Sequence, residues 1–270
     1  MLEAAGFAVE LPPAGLCCGR PLYDFGMLDA AKRLLREILE ALRPDIRAGV
    51  PIVGLEPSCV SVFRDELGNL FPHDEDARRL KGQVYLLSEF LAREAPDFAP
   101  PQLQRKALVH GHCHHKAVLG MGAEETMLRK LGLDVNILDA GCCGMAGAFG
   151  FEREHYDVSI QCGERALLPA VRSADKDTLI VADGFSCREQ IDQTTDRRAL
   201  HPAQVLQMAL HDGAGAAKEQ YPERRYPDHD AQATAAGRRQ AGLVGVGLLA
   251  AGAVLWRTAT RKGRPDEGQS

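Results

Sequence analysis

Five short apolar runs punctuate the chain: FAVEL (7–11), VPIVGL (50–55), KALVH (106–110), DVNIL (134–138) and TLIVA (178–182). Their length and their β-branched content predict buried strands. Between them the apolar positions change to helical spacing. The clearest case runs from about Phe25 to Arg43, where Leu28, Ala31, Leu35, Ile38, Leu39 and Leu42 share one face and Pro44 stops the helix. A second long helix is expected from about Glu152 to Ser173, with Pro169 as a point where it can break. Strands alternating with helices predict an α/β fold with mostly parallel sheets.

The pattern occurs twice. GFAVELPPAGLCCGRP contains Cys17 and Cys18, and EPSC ends at Cys59; GLDVNILDAGCCGMAG contains Cys142 and Cys143, and DGFSC ends at Cys187. In each copy a glycine and a strand precede the cysteine pair, and a strand precedes the last cysteine. The offset between copies is 125 residues at the pair and 128 at the last cysteine. Two related strand–helix units in pseudo-twofold repeat are therefore expected, at 1–100 and 101–211. The second has an upstream cysteine, Cys113, in VHGHCHH. Its counterpart would fall before Met1, so the first unit is expected to be incomplete at its N-terminus.

Residues 212–240 shift to Gly, Ala, Pro, Arg and Asp, as in a linker. Residues 241–256, AGLVGVGLLAAGAVLW, carry no charge, and a basic tail follows at 257–270. As a helix this apolar stretch is roughly 24 Å long, shorter than a hydrocarbon core of about 30 Å. It can span with snorkelling flanks or lie in the interface, and it is read as a candidate membrane helix. Basic residues flank both ends and leave its orientation open.

Composition narrows the function classes. The net charge of −5 gives no electrostatic footprint for nucleic acid. The start MLEAAGFAVELPP lacks the basic and apolar regions of a signal peptide. Eight cysteines in 270 residues are too few for a disulfide scaffold. The expected location is cytoplasmic, with attachment to the cytoplasmic membrane face through 241–256. Paired cysteines then read as metal ligands or redox groups. Cys113, Cys142, Cys143 and Cys187 each follow a predicted strand, at the carboxyl edge where an α/β sheet collects functional groups. Four convergent thiolates suit iron–sulfur or zinc ligation. Gly141 and Gly144 flank the pair and let backbone approach a bulky group.

The segments EPSCVSVFRDEL, HGHCHHKAV, GCCGMAGAFGFEREHY, GERALLPAVR and ADGFSCREQI, spread over most of 15–210, resemble the cysteine-rich, CCG-type domain. That family includes the iron–sulfur subunits of glycolate oxidase and of anaerobic glycerol-3-phosphate dehydrogenase, and the B-type subunit of heterodisulfide reductase. The similarity extends in particular to the C-terminal module of fused FAD-binding and iron–sulfur-binding oxidoreductases. The resemblance implies a two-unit α/β domain that holds an iron–sulfur cluster. It would take electrons from a flavin that oxidises a 2-hydroxyacid such as D-lactate, glycolate or D-2-hydroxyglutarate. FAD would belong to a partner dehydrogenase domain or subunit, or to sequence upstream. The fullest family motif ends in CxxC, but here Glu56 and Gly184 stand at the first of those positions. The resemblance then implies four thiolates in the second unit, enough for a [4Fe–4S] centre or zinc, and only Cys17, Cys18 and Cys59 in the first. One stable cluster per chain is expected, in the second unit, with Glu56 as a weaker oxygen-ligand alternative. A zinc-binding interaction module without redox function and a heterodisulfide reductase-like subunit are the competing readings.

His110, His112, His114 and His115 crowd around Cys113, and a dense run of this kind is read as supporting rather than ligating. Cys162 lies mid-helix and is read as a buried, inert thiol. GMAGAFG lacks GxGxxG order, which argues against a dinucleotide site. Arg188 directly follows Cys187 and could tune a cluster through its charge. No residue is singled out as catalytic.

Overall fold

The computed structural model describes residues 1–213 and 219–226. The candidate membrane helix at 241–256 and the basic tail lie outside these residues. Among the described residues, no helix is long and apolar enough to cross a membrane. Residues Met1–Glu223 form one compact unit.

After Cys17 and Cys18 the chain enters α1 (Arg20–Asp24), α2 (Leu28–Ala41) and α3 (Arg43–Ala48). Helix α2 is the one anticipated from its spacing. It buries Ala31, Leu35, Ile38 and Leu39 and ends just before Pro44. Pro44 instead sits in the first turn of α3, where its missing N–H is harmless. Strand β1 (Ile52–Gly54) leads into α4 (Pro57–Arg64), followed by α5 (Glu66–Leu70) and α6 (Glu75–Gln83). Strand β2 (Val84–Leu86) pairs parallel with β1 and leads into α7 (Leu87–Glu94). Gly54 lets α4 close on the strand: a Cβ there would meet Val60 Cγ2 at 2.4 Å.

The second sheet is three-stranded and parallel, in the order β4-β3-β5. Strand β3 (Lys106–Val109) leads through the cysteine turn and a π-helical turn (His115–Leu119) into α8 (Gly122–Lys130). Strand β4 (Asp134–Ile137) leads into the cysteine-pair loop, then α9 (Tyr156–Glu164) and α10 (Leu167–Ser173). Strand β5 (Leu179–Val181) leads into α11 (Phe185–Thr194), and α12 (Pro202–Asp212) follows. The register pairs Ala107 with both Val135 and Leu179, which places the ends of all three strands side by side. All three residues of β5 are buried, as expected of a strand covered on both faces.

Two expectations need correction. FAVEL forms no strand. Val9 and Leu11 are exposed, and Pro12 and Pro13 follow directly and cannot donate to a sheet ladder. The helix expected over 152–173 is two helices. The break falls at Arg165 and Ala166, ahead of Pro169. That proline has no N–H for the Arg165 carbonyl, and its ring would crowd it.

The cysteines belong to the packed interior. Cys143 and Cys187 lie in a core with Leu108, Leu167, Leu168, Val171, Ile180 and Ile191. Cys18 lies in a second with Leu35, Ile38, Leu39, Ile46 and Leu67.

His201 joins α12 to the end of β1. Its Nδ1 accepts from Ala203 N at 3.0 Å as a helix cap, and its Nε2 donates to the Leu55 carbonyl at 2.8 Å. Both contacts are satisfied only by the neutral ring with its proton on Nε2. Burial, and secondarily the positive charge of Arg188, hold its pKa below the ordinary 6.5. The unfolded chain therefore binds the proton more readily, so this residue lowers folding stability as pH falls below about 6.5. Urea unfolding at pH 7.5 and 5.5 should show that loss, and His201→Asn, which can cap without titrating, should reduce the difference between the two.

Candidate metal centre

Three parallel strands deliver the four cysteines of the second half to one edge. Cys113 sits in the turn after β3, Cys142 and Cys143 in the loop after β4, and Cys187 in the first turn of α11 after β5. Right-handed crossovers of a parallel sheet bring such turns together at the carboxyl ends of the strands. The thiols interact in sequence: Cys113 with Cys142, Cys142 with Cys143, and Cys143 with Cys187. Cys143 and Cys187 are buried, and Cys113 and Cys142 are partly open.

Electrostatics divides the set into two thiolates and two thiols. Contacts from Cys113 and Cys143, and the Gly144 N–H, hold Cys142 far below the ordinary range. Cys143, with the buried ring of His110 as a smaller cause, lowers Cys187 to about 6. Cys113 and Cys143 are pushed up by these thiolate neighbours and by burial. Thiolates among thiols are a donor set for soft metals.

Glycine shapes the loop. Gly144 has φ +102°, and its N–H donates to Cys142 Sγ at 3.3 Å. A Cβ at this position would meet the Ser159 carbonyl oxygen at 1.9 Å. That carbonyl accepts from Gln190 Nε2 at 3.2 Å, which ties α9 to α11 behind the pair. Lys116 reaches across from the π-helical turn and donates to the carbonyls of Ala140 and Gly141, the latter at 3.1 Å. Its ammonium so binds the Cys113 turn to the cysteine-pair loop, a role that only the tertiary structure reveals.

The first half repeats the local arrangement. Gly19 has φ +74°, and its N–H donates to Cys17 Sγ at 3.5 Å. Cys18 Sγ lies 2.9 Å from Cys59 Sγ, on α4. The Cys59 contact lowers Cys18 to about 7, and Cys18 in turn raises Cys59. Cys17 is exposed. Arg20, next along, is buried in an ion pair with Glu66 at 2.5 Å and donates to Ser61 Oγ at 2.9 Å.

Glu56 and Gly184 each have a structural task. Glu56 caps α4 through Ser58 N and Ser58 Oγ, at 3.3 and 2.7 Å, with one carboxylate oxygen. Its other oxygen accepts from Phe185 N, at the start of α11, at 2.7 Å. Both oxygens are thus engaged by hydrogen-bond donors. At Gly184 a Cβ would lie 2.3 Å from His112 Cδ2 and 3.1 Å from its Cβ, so the His112 ring leaves no room for a side chain there.

The histidines separate by role. His112 Nδ1 accepts from His114 N at 3.2 Å, which shapes the cysteine turn. His115 points away from the thiols toward the carboxylates of Asp183 and Glu124. Cys162 lies on α9, where its Cβ is 3.2 Å from the space above Gly144. Arg188 donates to the Asp183 carbonyl at 2.7 Å.

Residues 110–192 match the cysteine-rich domain family designated CCG. A component of the anaerobic glycerol-3-phosphate dehydrogenase of Escherichia coli is 30% identical over 215 residues, covering 78% of this chain and 53% of the relative. D-2-hydroxyglutarate dehydrogenase from Pseudomonas putida is 32% identical over 193 residues, 70% of this chain and 18% of that protein. Lactate utilization protein A from Bacillus velezensis is 28% identical over 225 residues, 76% of this chain and 89% of the relative. The chain thus spans about half the first of these, a small part of the second and most of the third. The matched region holds Cys113, Cys142, Cys143 and Cys187 together, and residues 110–192 are a cysteine-rich domain of the CCG family.

Proposed function

We propose that this chain is an iron–sulfur electron-transfer module of an FAD-linked 2-hydroxyacid dehydrogenase. The observation that carries the reading is the run of four interacting thiols from three strand ends, inside the matched domain. Two relatives named as dehydrogenases or their components and one named for lactate utilization support the chemical class. The flavin belongs to a partner domain or subunit, which would deliver electrons to this chain.

Four thiol donors are a soft ligand set that suits iron–sulfur ligation, and the relatives named as dehydrogenases or for lactate utilization favour a redox cluster over zinc. A [4Fe–4S] centre on Cys113, Cys142, Cys143 and Cys187 supplies one-electron transfer. The protein's part is to hold the four thiols, donate the Gly144 N–H to Cys142 and cover the buried side with Leu108, Ile180 and Ile191.

The repeated glycine-to-sulfur contact at Gly19 and Gly144 supports descent of both halves from one unit. The first half would keep only Cys17, Cys18 and Cys59, one thiolate short. A place on the cytoplasmic side, with attachment to a membrane through 241–256, rests on the sequence pattern alone.

Anaerobic reconstitution followed by iron and acid-labile sulfide assay should return about four irons per chain, with an EPR signal on reduction. Serine at Cys113, Cys142, Cys143 or Cys187 should lower that content, whereas Cys162→Ser should leave it intact. A colourless protein loaded with zinc would refute the proposal. About eight irons would show that the first half also assembles a cluster. Gly144→Ala adds a clash with the Ser159 carbonyl to a left-handed backbone. It should cost on the order of 3 kcal/mol in urea unfolding and remove the cluster.

A further inference from the structure

Away from the thiols, three residues from three separate elements meet in a closed site. His115 opens the π-helical turn, Glu124 lies in the first turn of α8, and Asp183 lies between β5 and α11. Their exposures are 0%, 3% and 3%. His115 Nδ1 contacts Asp183 Oδ2 directly and lies 3.7 Å from Glu124 Oε2. One donor atom from each falls within 4.8 Å of the other two.

The buried polar atoms of this site are not all satisfied without another group. Two carboxylates share a desolvated space with one imidazole. The remaining neighbours do little: His112 N donates weakly to Asp183 Oδ1 at 3.4 Å, and Arg188 binds the Asp183 backbone carbonyl rather than the carboxylate. Glu124 Oε1 is buried and has no hydrogen-bond partner, and neither has His115 Nε2. Burial, and secondarily the Asp183 carboxylate, raise the Glu124 pKa well above the ordinary range, and a proton held on Oε2 still leaves Oε1 without a donor. A divalent cation would replace that proton and give the two carboxylates and the imidazole a common partner.

We propose that His115, Glu124 and Asp183 bind a divalent transition-metal ion, distinct from the centre on the cysteines. One imidazole nitrogen and two carboxylate oxygens form a borderline-to-hard donor set, suited to Zn²⁺, Mn²⁺ or Fe²⁺ rather than to an iron–sulfur cluster. Metal–ligand bonds of about 2.0–2.2 Å fit inside the 4.8 Å envelope after a small rotation of a carboxylate. The ion has a structural task. His115 is two residues from Cys113, and Asp183 is four from Cys187. Their common ion would pin the turns that present both cysteines and tie them to the start of α8.

Mn²⁺ is the probe, because it favours oxygen and nitrogen over thiolate. The full chain, purified anaerobically with its cysteine-bound centre in place, is titrated with Mn²⁺ while EPR reads the free ion. Uptake of about one ion per chain is expected, with nitrogen hyperfine coupling from an imidazole in the bound state and a higher Tm. Glu124→Gln and Asp183→Asn, each folded by circular dichroism, should weaken binding at least about tenfold, while Cys142→Ser should retain it. No uptake by the wild-type chain, or a bound ion without nitrogen coupling, would overturn the proposal even if the variants fail to fold. Binding unchanged in Glu124→Gln, or abolished in folded Cys142→Ser, would overturn it as well. Retention in Cys142→Ser separates this site from the cysteine centre, whose own failure would appear as absent iron and sulfide.

Discussion

Four cysteine sulfurs in sequential contact cannot all ionise unless positive charge enters among them. Each thiolate raises the next thiol, so the set alternates, with Cys142 and Cys187 lowered and Cys113 and Cys143 raised. The scaffold holds this arrangement against repulsion because the cysteines sit on turns fixed by other forces. Parallel pairing of β3 with β4 and β5 sets the strand ends, and apolar burial around Cys143 and Cys187 sets the depth. Lys116 then clamps two of the turns through backbone carbonyls.

Much of that edge could be read from the sequence. VPIVGL, KALVH, DVNIL and TLIVA supply β1, β3, β4 and β5, because short apolar runs ahead of glycine or histidine turns have few other uses. The same logic failed for FAVEL, whose composition suits a strand but which finds no partner strand. Strand β2 escaped notice since its three residues lie between two helices in one continuous apolar stretch. Spacing and repetition singled out Cys113, Cys142, Cys143 and Cys187, the four thiols that couple at this edge. Local pattern carries no trace of the contacts made across the fold, such as Lys116 to Ala140, Glu56 to Phe185, or His115 to Glu124 and Asp183. His115 in particular reads as one of four crowded histidines, and only the approach of α8 gives it a different environment.

Glu56 and Gly184 meet at the seam between the halves. Glu56 and Gly184 occupy equivalent places, each ahead of the helix that bears the last cysteine of its half. In the structure these places are adjacent. Glu56 spans them, capping α4 with one oxygen and the start of α11 with the other. A cysteine at 56 would forfeit both caps, each worth about 1 kcal/mol, because a thiol is a poor acceptor for two backbone N–H groups. Gly184 leaves room for the His112 ring, whose Nδ1 in turn orders the Cys113 turn. A cysteine at 184 would displace that ring and with it the turn. Glu56 as a helix cap and Gly184 as a packing gap thus act together, and both hold the turns that present the thiols.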